Sequence, residues 1–156
     1  MSRVSIIRKA TEKDYLIATL TADQVTDLGI GDHMEIEVTE ESRGSKISVS
    51  AGAGQLAGII SLKPGSTYEL IVSPQCIFNA APGLVQINFF DITNTANLGV
   101  SGTYRSPAST SVVQSQNQTI AWVTPATDIT VDIRFTAPVA LLGIRALNTM
   151  LWINEL

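Results

Sequence analysis

From Asp128 to Phe135 the side chains alternate without a break: Ile129, Val131, Ile133 and Phe135 are apolar, while Asp128, Thr130, Asp132 and Arg134 are polar. A period of two fits a strand with one face in a core and one in water, and no helix can present it. The same period recurs along the chain. Met34, Ile36 and Val38 alternate with Glu35 and Glu37, and Ile47 and Val49 resume the pattern after the polar turn Ser42-Arg43-Gly44-Ser45. Tyr68, Leu70 and Val72 oppose Thr67, Glu69, Ile71 and Ser73; Val85, Ile87 and Phe89 oppose Leu84, Gln86, Asn88 and Phe90. Lys63-Pro64-Gly65, Ala81-Pro82-Gly83, Thr124-Pro125 and Ala137-Pro138 supply turns. Nine to eleven short strands in one domain predict an all-β antiparallel sandwich or jelly roll.

Three segments read less simply. Thr21 to Gly29 (TADQVTDLG) has a cap at Thr21, a capping-box Gln24 and a stop at Gly29, which predicts a short helix. In residues 139–156, Leu141, Ile144, Leu147 and Leu151 satisfy a helical period, but Gly143 and Asn148-Thr149 favour two strands and a turn. Residues 104–118 (YRSPASTSVVQSQNQ) are polar and predict a long surface loop.

The chemistry of catalysis is sparse. His33 is the single imidazole and Cys76 the single thiol among 156 residues, so a zinc site has too few ligands and an internal disulfide is excluded. A serine triad would have to recruit His33, and no G-x-S-x-G elbow exists. Cys76 in the run Cys76-Ile77-Phe78 predicts a buried small hydrophobe. The glycines between Gly52 and Gly58 lack the spacing of a phosphate loop and predict a tight turn. Asp128 and Asp132 are too isolated for calcium. The expectation is a protein that is not an enzyme, with no cofactor and no metal.

Charge bears on partners. The net charge is −4, which disfavours nucleic acid and anionic membranes. Charged residues make up 15% of the chain, well below the usual quarter. Fifteen of them lie in residues 1–50 and only nine in residues 57–156. Arg3, Arg8, Lys9 and Lys13 give residues 1–14 a basic bias suited to an arm or edge strand docking on an acidic surface. No apolar run follows Met1 as a signal peptide requires, which predicts synthesis in the cytoplasm.

The runs LTADQVTDLGIGDHMEIEV (20–38) and GSKISVSAGAGQLAGIISLKPGSTYELIVS (44–73) resemble the first half of the tumour-necrosis-factor/complement-globular-head jelly roll. They are similar above all to versions in bacteriophage and cyanophage structural proteins. The matching features are Gly31-Asp32-His33, Ile47 to Ser50, Gly52, Gly54, Gly58 and Pro64 to Leu70. VQINFFDITNTANLG (85–99) resembles the central segment of that fold, and LWINEL its closing strand. The resemblance spans residues 15–156 and leaves 1–14 as an extension. It implies a homotrimer of TNF-like jelly rolls, with the termini close together and the last strand near the threefold axis. Phe90, Met150 and Trp152 are then the candidates for the trimer interface.

Within that family the expected role is a capsid decoration, or cement, protein of a phage virion. It would sit on the outer capsid surface and clamp adjacent capsomers, with Arg3, Arg8, Lys9 and Lys13 contacting the major capsid protein. The alternative is the trimeric receptor-binding tip of a tail fibre or baseplate, binding a host surface glycan through Tyr104, Arg105, Asn117 and Gln118.

Overall fold

The structure, a computed structural model, describes residues 13–51, 57–79, 82–106, 111–114 and 118–156. Eleven strands and no helix occur among them: β1 (Tyr15–Thr19), β2 (Val38–Arg43), β3 (Ile47–Val49), β4 (Ile60–Leu62), β5 (Tyr68–Phe78), β6 (Gly83–Asp91), β7 (Ala96–Ser106), β8 (Ser111–Gln114), β9 (Thr119–Val123), β10 (Ile129–Phe135) and β11 (Leu141–Glu155). All pairings between them are antiparallel. The first sheet runs β2-β1-β11-β5-β9, with β8 also on β5, and the second runs β7-β6-β10-β4-β3. The two join where Val100 of β7 pairs with Ile120 of β9.

The alternation read from the sequence selects the core. Tyr68, Leu70 and Val72 from the first sheet meet Val85, Ile87, Phe89, Val131, Ile133 and Phe135 from the second, all buried. Leu151 and Ile153 of β11 join them. Cys76 lies in the same core, and burial pushes its thiol up to about 12, so it remains protonated at neutral pH.

Two local expectations are corrected. Residues 21–29 form bends and an isolated bridge, not a helix. Gln24 is drawn into the first sheet, exchanging two 2.9 Å backbone hydrogen bonds with Ile144. Its buried amide donates to the His33 carbonyl (2.9 Å) and accepts from the Glu35 N–H (3.1 Å). Those tertiary bonds override the local capping signals.

Residues 139–156, in turn, hold a single fifteen-residue strand rather than two with a turn. Its irregularity is a bulge: Arg145 pairs with Gln75 and Met150 with Ser73, so four residues of β11 stand opposite one of β5. The residue they face is Pro74, which has no N–H to give to a ladder. The next N–H, of Gln75, instead donates to the Thr149 hydroxyl at 2.9 Å. On the other side of β5, Gln75 pairs with Gln114 at the end of β8 and Val72 with Thr119 at the start of β9.

Close to the ends of β1 and β11, a polar hub ties four segments together. Glu155 accepts from the Asp14 N–H (2.8 Å), from the Lys46 ammonium (2.5 Å) and from the Ser66 hydroxyl. Asp14 in turn accepts from the N–H groups of Ser45 (2.9 Å) and Lys46 (2.8 Å), closing the turn at Gly44. Gly44 has φ 83°, and a Cβ there would collide with the Asp14 carboxylate, so only glycine fits.

These donors, the Asp14 N–H foremost and then Lys46 and Ser66, hold the Glu155 carboxyl down from 4.5 to about 2. A depressed folded-state value stabilises the fold fully above the unfolded value. That contribution is lost as pH falls through the folded one. Acid titration of unfolding free energy is predicted to show a loss between pH 4.5 and about 2 that Glu155→Gln abolishes. An unchanged titration in that variant would remove Glu155 from this role.

Candidate self-association face

Because the core takes Leu151 and Ile153, parity sends Met150 and Trp152 to the outer face of the first sheet. The registers then align one row across four strands: Ile17 of β1 faces Trp152 of β11, Trp152 faces Ile71 of β5, and Ile71 faces Ile120 of β9. Val100 of β7, 78% exposed, extends that row through its pairing with Ile120. Cross-strand partners share a face and touch side by side, so the row is a continuous apolar band. The four inner members are half-buried by one another.

Rows on either side frame the band. Thr19, Met150 and Ser73 form one, and Tyr15, Asn154, Glu69 and Trp122 the other. Trp122 is 58% exposed. Val100 reaches this sheet because Gly99 adopts φ 69° with β9 backbone against it; a Cβ there would lie 2.5 Å from the Ile120 carbonyl oxygen. An aromatic and aliphatic centre, flanked by rows that mix polar side chains with Met150 and Trp122, is the composition of a protein interface.

The other predicted site residues fall elsewhere. Phe90 does not join Met150 and Trp152: it lies on the outer face of the second sheet, opposite Asp132. The Arg134 guanidinium stacks 3.6 Å from its ring centroid and bonds Asp132 through Nε at 2.9 and 3.0 Å. Asp132 was expected to face water. Its outward carboxylate is instead buried, 4% exposed, beneath that arginine. Burial pushes its carboxyl up while Arg134 and, more weakly, His33 favour ionisation. His33 itself is buried and pairs through its backbone with Arg134.

Tyr104 is a correction. It belongs to β7, its ring is fully buried, and its hydroxyl shares a 2.8 Å hydrogen bond with Thr119, so it is unavailable to a ligand. Residues 104–118 include the end of β7 and all of β8 rather than one continuous loop. Arg105 and Gln118 are exposed, and Asn117 lies outside the described residues. Lys13 is exposed beside the Asp14–Glu155 hub. Arg3, Arg8, Lys9, Gly52 and Gly54 lie outside the described residues. Among the described residues no group of three His, Cys, Asp or Glu could hold a metal ion.

The architecture is that of a TNF-like jelly roll. Over 93% of this chain and all of theirs, the fold matches murine APRIL at TM-score 0.59 with 13% identity. It matches Eiger TNF from S. frugiperda at 0.60 and 10%, covering 92% of each chain. The globular domain of zebrafish complement 1qA matches at 0.55 and 11%, over 93% of this chain and 97% of that one. No family profile matches the sequence, and no curated protein does. Identities this low establish the fold alone.

The Asp132–Arg134–Phe90 cluster is testable separately. Arg134→Met leaves a buried carboxylate without its cation and is expected to cost about 2–3 kcal/mol in urea unfolding. Adding Asp132→Asn is expected to recover most of that loss. A neutral Arg134→Met would show that the pair contributes nothing.

Proposed function

We propose that three copies of this chain associate about a threefold axis through the outer face of the first sheet. The trimer is a capsid decoration protein on the outside of a phage head, clamping neighbouring capsomers. The observation that supports self-association is the apolar row from Ile17 through Trp152, Ile71 and Ile120 to Val100. Contiguous apolar surface of this kind is rare on monomers and favours burial against a partner. A closed threefold arrangement buries it in every copy and leaves no open end to polymerise.

The decoration role rests on the sequence resemblance to phage structural proteins and on the basic bias of Arg3, Arg8, Lys9 and Lys13. Lys13 adjoins the hub where β1 and β11 meet, and threefold symmetry repeats that point of attachment three times. Weak contacts repeated on a matching lattice gain effective concentration, and binding to the assembled shell stabilises it by mass action. The fibre-tip alternative has lost its aromatic contact, since Tyr104 is in the core.

Densitometry of purified virions is expected to find this chain in simple ratio to the major capsid protein. Deletion of residues 2–13 is expected to leave a soluble trimer that no longer decorates heads. A handful of copies per particle would favour the fibre tip, and decoration by the truncated chain would refute the arm.

A further inference from the structure

We infer that the outer face of the second sheet carries a binding site for a small organic monocarboxylate with a compact apolar body, recognised by Arg105. Three residues fall in one row where β6 begins and β7 ends. Arg105 pairs with Leu84, and Leu84 exchanges backbone hydrogen bonds with Val139 at 3.0 and 2.6 Å. With Pro82, Gly83 and Ser106 they line a cavity of about 310 Å³, the size of a small ligand cleft. Its floor is aliphatic, and Val139 remains 52% exposed there.

The charge on Arg105 distinguishes this cavity from its neighbour. A smaller one of about 170 Å³, between Leu62 and Thr130, also holds a cation, but Lys63 is neutralised by Asp128 at 2.5 Å. Arg134 and Arg145 likewise face Asp132 and Asp23. Arg105 has no carboxylate partner among the described residues. The sequence offers none nearby: no Asp or Glu occurs from 92 to 127, from 70 to 90, or from 133 to 154. A guanidinium fork at the edge of an apolar floor, on a protein of net charge −4, selects one anion with a greasy tail. A single fork matches one carboxylate bidentately, whereas a phosphate or other polyanion is held best by several cations, and Arg105 is the one cation in this lining.

The test is amide NMR of the full-length protein titrated separately with hexanoate, hexan-1-ol, hexylammonium and acetate. Hexanoate is expected to give saturable shifts at residues 83, 84, 105, 106 and 139, with Kd about 1 mM. Hexan-1-ol should bind there roughly tenfold more weakly, and the other two should leave those residues unmoved. Arg105→Gln should weaken hexanoate about tenfold and leave hexan-1-ol unchanged, which separates lost recognition from a damaged cavity. The site is refuted if hexanoate shifts fail to saturate or map elsewhere. Equal hexanoate binding by Arg105→Gln, or equal binding of hexylammonium, would refute it too.

Discussion

β11 is apolar on both faces, and the organisation of the molecule follows from that. A strand between β1 and β5 can send Leu151 and Ile153 into its own core, but Met150 and Trp152 must then leave on the other side. A sandwich made of one chain has nothing to place there. Neighbouring strands repeat the choice at the same level, so the outward residues line up as a band rather than scattering as isolated hydrophobes. Core burial and the band are two consequences of one parity.

The remaining features keep β11 in register. A slip of one residue would exchange its two faces and bury Trp152 where Leu151 belongs. At one end the register is pinned by Glu155, whose carboxylate gathers donors from Asp14, Lys46 and Ser66. Near the middle it is pinned by Pro74, whose missing N–H places the bulge, and by Thr149, whose hydroxyl accepts from the displaced Gln75. Gly99 then lets β7 approach β9 closely enough to join the sheets and bring Val100 to the band.

Much of this was legible in the sequence, because a half-buried strand writes its orientation into every second residue. TDITVDIRF, STYELIVS and LVQINFF all place the residues their alternation assigns to the core. The failures share a cause, which is dependence on a distant partner. Thr21 to Gly29 carries good local helix signals, yet its conformation is decided by Ile144. Tyr104 stands among polar neighbours and reads as surface; what buries it is the core under β7 and a hydroxyl at Thr119, on another strand. Phe90 was correctly placed on an outer face, but periodicity could not say which sheet, nor that Arg134 covers it. Arg105 shows the opposite case, since the long stretch without acids around it is visible in the sequence while the cavity beside it is not.

The central claim is that the band on the first sheet is covered by other copies of the chain. Sedimentation equilibrium of the purified protein over a range of concentrations tests it most directly. The account predicts one species of three times the 16.7 kDa chain mass, persisting on dilution, and its conversion to monomer by a lysine at Ile71 in the centre of the band. A folded wild-type protein that sediments as a 16.7 kDa monomer throughout would contradict it.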